Sequence, residues 1–193
     1  MAAPDRVAFE ALRMTTTSSV PRTAYVAYAL AIVIILFDQW TKYAVLGSVD
    51  ASDIAMIPDG YRFATIIPGL FDFTMVRNTG VSFGLFGGGG ARWALAVFSI
   101  IVAGGLIWWA TRADRPLLIG AIGLVIGGAI GNAIDRIRFG YVIDFLDFSD
   151  TGLFPWVFNI ADSAISVGVV LLVLDSLMSE RKPATVGDAN EKA

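Results

Sequence analysis

"VFNIADSAISVGVVLLVL", residues 157 to 174, is apolar enough to lie in a bilayer, yet Asn159 and Asp162 stand near its start. A charged group at the centre of a membrane helix costs about 2.5–3.5 kcal/mol on insertion scales, and less near the interface. An acid kept in such a place faces the interior of a bundle, pairs with another group, or marks a functional pathway. Which of these holds for Asp162 depends on what the rest of the chain brings to its level.

Three further segments are as apolar, so that the four run over about 24–44, 92–111, 117–138 and 157–178. Each is close to the roughly 20 residues that a bilayer requires of a helix. The composition agrees: 56% of the 193 residues are hydrophobic and 16% charged, with a mean hydropathy of +0.69, against about 25% charged in soluble domains. The expected fold is an α-helical integral membrane protein with four transmembrane helices. Residues 1–22, with Arg6, Arg13, Arg22 and a "TTTSS" run, read as a flexible cytoplasmic tail. The apolar stretch that follows is too long for the core of a cleavable signal. The membrane domain is expected over 23–178 and a second cytoplasmic tail over 179–193.

Lys and Arg near the spans set the orientation. With the N-terminus inside, Arg6, Arg13, Arg22, Arg112, Arg115, Arg181 and Lys182 fall on the inner side. Arg62, Arg77 and Arg92 fall outside, with Arg136 and Arg138 near the end of span three. Both termini are therefore expected in the cytoplasm. The connection over 45–91 holds "YRFATIIPGLFDFTMVRN" with Pro68 inside it and Pro58 before it, and ends in "FGGGGAR". It reads as a small β-rich extracytoplasmic cradle, or lid, between helices one and two. Residues 139–156 read as an outer loop carrying Asp144, Asp147 and Asp150.

The chain contains neither cysteine nor histidine. That excludes disulfides, thiolate nucleophiles, the Ser-His-Asp triad and histidine- or cysteine-ligated metals. No metal or cofactor is expected. The net charge of −3 and the lack of a basic run give no support to a nucleic-acid partner. If the chain is an enzyme, its proton chemistry falls to carboxylates, lysine or tyrosine.

On this topology the polar residues of the spans converge. Asp38 and Lys42 lie in the last third of span one, and Asn132, Asp135 and Arg136 near the end of span three. Asp144 follows just beyond, Asn78 belongs to the lid, and Asn159 and Asp162 open span four. All fall around the outer leaflet boundary. Asp38 and Lys42 are four apart in the favourable order for an intrahelical ion pair. Asn132, Asp135 and Arg136 share one helix face and suit a network between helices as well as they suit catalysis. Gly127, Gly128 and Gly131 read as close-packing positions. Asp175 reads as interfacial, and Asp147 and Asp150 as solvated loop acids.

Asp144 and Asp162 have no cation at helical spacing in their own segments, and both flank the 139–156 connection. Each is free to meet only water. The sharper reading is an aspartyl dyad, in which two neighbouring carboxylates share one proton. One then activates water while the other donates a proton, a hydrolytic design open to a protein without His or Cys.

"DQWTK" (38–42), "RNTGVSF" (77–83), "GGAIGNAIDRIRFGYVIDF" (127–145) and "FNIADSAI" (158–165) resemble, in order, the motif blocks of the bacterial lipoprotein signal peptidases, or signal peptidase II. The resemblance covers about residues 24–178 and departs slightly at Val81 and Ser82, where smaller residues such as alanine are commoner. It implies an intramembrane aspartyl endopeptidase that removes signal peptides from prolipoproteins, cutting before a diacylglyceryl-modified cysteine. It places the catalytic pair on Asp144 and Asp162. Asp38, Lys42, Asn78, Asn132, Asp135, Arg136 and Asn159 match positions that support the site or contact substrate and the peptide antibiotic globomycin. The implied partners are the lipid-modified substrate and membrane lipids. The implied setting is the outer leaflet of the bacterial inner membrane, with the chain acting as a monomer.

Two rival functions remain to be weighed. A Ser–Lys peptidase could use Lys42 with Ser82 or Ser163, although Asp38 one turn earlier opposes a neutral lysine. A proton-coupled transporter would need acids across the whole bilayer, and no internal repeat supports one.

Overall fold

The computed structural model describes residues 20–48, 58–80 and 90–180. The two expected tails fall almost wholly outside these residues, as do Val81, Ser82 and parts of the expected lid. Among the described residues, four helices are long and apolar enough to cross a membrane: α1 (Arg22–Ser48), α2 (Gly90–Ala110), α3 (Pro116–Arg138) and α4 (Ile160–Glu180). They agree with the four expected spans, except that α1 runs on to Ser48, and α4 begins three residues later and continues to Glu180.

α3 is the axis of the bundle. Of its span, 72% is buried, against 22, 17 and 22% for α1, α2 and α4, and all three neighbours pack chiefly on it. The sequence permits this because α3 is rich in small residues. A Cβ on Gly128 would collide with the Ala161 carbonyl of α4, and one on Gly131 would lie 2.7 Å from Asp38 Oδ2 of α1. Backbones thus approach closely at the level of the polar residues, as small residues allow in membrane helices. The outward faces keep Leu36, Phe98, Ile101 and Val170 exposed, as a lipid-facing surface requires.

α3 starts cleanly because Pro116 occupies its first turn after an extended Arg115, where a missing N–H costs nothing. α4 starts through a reciprocal cap. Asn159 Oδ1 accepts the Asp162 N–H at 2.8 Å, and Asp162 Oδ2 accepts the Asn159 N–H at 3.3 Å. This is the geometry of a capping box. Asn159 therefore precedes the helix rather than lying in it.

The strands among the described residues form one antiparallel sheet in the order β1-β2-β3-β4. The strands are β1 (Tyr61–Ile67), β2 (Phe71–Asn78), β3 (Val142–Asp147) and β4 (Val157–Phe158). The expected cradle thus supplies two strands. The segment over 139–156, expected to be a loop, supplies β3 and a 3₁₀ turn (Ser149–Thr151) that leads to β4. Pairing of Val76 with Asp144 and of Leu146 with Phe158 ties the two halves together.

Two further expectations are corrected here. Asp147 is not solvated: it is buried, accepting from Thr74 Oγ1 at 2.6 Å and from the Ser149 N–H at 2.9 Å. Burial opposes its charge, but those hydrogen bonds hold its carboxyl below the usual range. Asp150 is exposed, as expected, and pairs there with Arg62. Asp175 is likewise buried, in an ion pair of 2.7 Å with Arg115 that ties the far end of α4 to the start of α3.

Candidate active site

β3 and the start of α4 bring Asp144 and Asp162 to the end of the bundle that carries the sheet. Asp144 is almost fully buried, and both of its oxygens are held. Asn159 Nδ2 donates to Oδ1 at 2.7 Å, and Asn78 Nδ2 donates to Oδ2 at 2.8 Å. Asn78 cannot present its oxygen instead, because its Oδ1 already accepts the Gly80 N–H at 2.8 Å. Gly80 completes that turn at φ +76, a conformation that glycine adopts freely. Asp162 is held as firmly: Asn132 Nδ2 donates to its Oδ1 at 2.7 Å, and the Asn159 backbone to its Oδ2.

Asn159 thus touches both carboxylates, one through its side chain and one through its main chain. Its Nδ2 also donates to Asn132 Oδ1 at 3.2 Å and to the Ile143 carbonyl at 3.3 Å. Burial, and then the neighbouring charge of Asp162, push the Asp144 carboxyl up to about 7, against the pull of its two amide donors and of Lys42.

Behind this pair lies a buried charge network. Lys42 Nζ lies 2.8 Å from Asp38 Oδ2 and 2.7 Å from Asp135 Oδ2, and donates to Asn132 Oδ1 at 3.2 Å. The expected Asp38–Lys42 pair is present, with Asp135 as a second carboxylate partner. Asp38 Oδ1 accepts the Ala161 N–H at 2.9 Å, placing a carboxylate at the positive end of α4. Asp135 Oδ2 accepts the Ile143 N–H, next to Asp144. Gln39, absent from the sequence-derived site, donates to Asp135 Oδ1 at 2.8 Å and to Asp38 Oδ2 at 3.3 Å. Its place inside "DQWTK" was the available signal.

Arg136 sits beside the acids, its charge acting on Asp162, Asp144 and Asp135. Its buried Nε has no hydrogen-bond partner among the described residues. With Asn132, Asp162, Ser99, Val125 and Ile165 it lines a cleft of about 260 Å³ between α2, α3 and α4. A larger apolar cavity of about 430 Å³, between Trp40 and the sheet residues Phe63, Phe73 and Phe145, lacks the aspartates. All nine residues expected at the site therefore meet in one connected cluster.

The family model for signal peptidase II matches residues 30–178. The chain belongs to the signal peptidase II family. It is accordingly a bacterial membrane peptidase. A lipoprotein signal peptidase of Caulobacter vibrioides is 49% identical over 164 residues, covering 84% of this chain and 92% of the relative. Another, of Rhizorhabdus wittichii, is 40% identical over 154 residues, covering 78% and 85%. A solved structure described as a bacterial membrane enzyme superposes with a TM-score of 0.66 at 29% identity, covering 83% of this chain and 94% of that one.

For a signal peptidase II chain, the two rival readings lose their footing in the geometry as well. Lys42 is committed to two carboxylates, and Ser163 Oγ donates to the Asn159 carbonyl instead of meeting it; Ser82 lies outside the described residues. The Asp175–Arg115 pair is separated from the cluster along α3 by Leu118, Ile122 and Ile126, so the acids do not form a path along the bundle.

Proposed function

We propose that the protein removes signal peptides from diacylglyceryl-modified prolipoproteins, cutting before the lipidated cysteine, and that Asp144 and Asp162 activate the attacking water. The observation that carries this reading is that Asn159 binds both carboxylates, one of which, Asp162, lines the cleft between α2, α3 and α4. The chain's lack of histidine and cysteine leaves carboxylates as the natural proton carriers.

The chemistry runs on one shared proton. Water lies between the carboxyls, and the ionised one accepts its proton as the oxygen attacks the scissile carbonyl. Asp144, its carboxyl pushed up to about 7, is suited to hold the other proton and give it to the carbonyl oxygen. The neutral gem-diol then collapses: one hydroxyl returns its proton to Asp144 as the carbonyl re-forms, the C–N bond breaks, and the proton taken up from water by the other carboxyl passes to the leaving amine. Arg136, which lines the cleft with an Nε unpartnered among the described residues, is suited to bind a substrate carbonyl or lipid-ester oxygen. Asp38, Lys42, Asn78, Asn132 and Asp135 hold the pair in register.

The site lies at the outer leaflet of the inner membrane, with both termini in the cytoplasm. Supporting this is the distribution of Lys and Arg around the spans. The signal helix enters laterally from the bilayer while the lipid anchor stays in the outer leaflet. The protein works as a monomer, and globomycin occupies the same cleft.

The test is a cleavage assay with purified protein and a prolipoprotein offered with and without its diacylglyceryl group. Cleavage of the modified form alone, blocked by globomycin, is expected. Equal cleavage of both forms, or of neither, contradicts the reading.

A further inference from the structure

The segment joining the two aspartates carries a tip for which the chemistry has no use. β3 holds Asp144, β4 leads into Asn159 and Asp162, and between them runs "SDTGLFPW", residues 149 to 156. Its polar part is tied to the sheet, where Asp150 receives both terminal nitrogens of Arg62 at 2.8 and 2.9 Å. Gly152 then ends the 3₁₀ turn in the left-handed conformation, at φ +67. Beyond it Leu153 is 90% exposed, Trp156 67% and Phe154 45%. Phe154 rests edge-on against Phe158 of β4, with centroids 5.5 Å apart, which fixes the tip to the hairpin.

Single exposed apolar residues are ordinary, but a contiguous group marks an interaction surface. Its position names the partner. Trp156 stands four residues before Ile160, the first residue of a spanning helix. Trp at the end of a span sits at headgroup level, its ring apolar and its N–H hydrated. The segment over 149–156 contains no Lys or Arg, and the Arg62 bound to it is paired with Asp150, so attraction to anionic lipid plays no part.

We propose that Leu153, Phe154 and Trp156 insert into the headgroup region of the bilayer, anchoring the β3–β4 hairpin in lipid and setting the depth of Asp144 and Asp162 relative to the membrane surface. The tip is a membrane foot on the one segment that links both acids. Its hold depends on apolar area and is indifferent to lipid charge.

The chain's lack of cysteine makes the test direct. Leu153→Cys, at a site too exposed to disturb packing, is labelled with an environment-sensitive fluorophore and reconstituted in phosphatidylcholine nanodiscs. A thermal melt matching that of the unsubstituted protein certifies the fold. Expected are blue-shifted emission and quenching by phospholipids spin-labelled near the headgroup, weaker quenching by labels deep in the acyl chain, and no change when anionic lipid is added. Water-like emission untouched by the quenchers overturns the proposal. Blue-shifted emission that lipid quenchers do not reach also overturns it, since the tip is then covered by protein, from this chain or another.

Discussion

Asn159 Nδ2 donates to Asn132 Oδ1 at 3.2 Å, and each of these two amides also donates to a different aspartate at 2.7 Å. The order of donors and acceptors is forced. Lys42 supplies a second donor to Asn132 Oδ1, and a lysine ammonium can only donate. The Asn132 amide must therefore turn its NH₂ toward Asp162. A charge buried in the bundle thus dictates the direction of the hydrogen bonds that reach the acids.

Asn159→Ala removes the side-chain donor to Asp144 and the side-chain half of the α4 cap. Hydrogen bonds to charged groups contribute about 1.5–3 kcal/mol, so kcat should fall by roughly 10- to 100-fold with KM little changed. The lost cap should lower stability by about 1 kcal/mol. Steady-state kinetics and a thermal melt in detergent check both.

Lys42→Met leaves Asp38 and Asp135 buried without their shared cation. Breaking a buried pair from one side destabilises by about 3–5 kcal/mol. Neutralising the acids as well, in the triple variant with Asp38→Asn and Asp135→Asn, should restore much of the melting temperature. If Lys42→Met alone melts like the unsubstituted protein, the network does not hold the helices together.

The pH dependence follows from Asp144, whose carboxyl is raised to about 7 chiefly by burial. If its proton is needed, activity declines as pH rises through about 7. Asn78 donates to the carboxylate and so favours the ionised form. Asn78→Ala should raise the Asp144 value further and move the alkaline limb to higher pH. A limb that moves down contradicts the assignment.

Gly128→Ala tests the close approach of α3 and α4. The added methyl meets the Ala161 carbonyl, one residue before Asp162, and overpacking of this kind costs about 1–3 kcal/mol. Melting temperature and kcat should fall together. Gly104→Ala, where nothing lies within 4 Å of the new methyl, should leave both unchanged.

The spans were legible because a bilayer imposes a length and an apolarity that local sequence must display. The convergence of Asp38, Asn132, Asp135 and Asp162 followed from topology alone. What escaped the reading depends on pairing across long stretches of chain. Asp147 is buried because Thr74, 73 residues away, meets it, and β3 is a strand because β2 lies beside it. β4 has two residues, too few to leave a periodic signal. The start of α4 was readable in principle, since "NIAD" fits a capping box with Asp in place of Glu, but the apolar Val157 and Phe158 drew the expected helix back over Asn159. Asp175 needed Arg115 brought from another helix.

The proposed water-activating pair is Asp144 and Asp162. Asp144→Asn and Asp162→Asn keep the shape of each side chain and remove its proton chemistry. Single-turnover cleavage of a diacylglyceryl-modified prolipoprotein should fall by about 10²–10⁴-fold or more in each variant, the range that a lost general acid or base commands, while both variants insert and melt as folded proteins. Near-normal turnover in either folded variant would contradict the assignment.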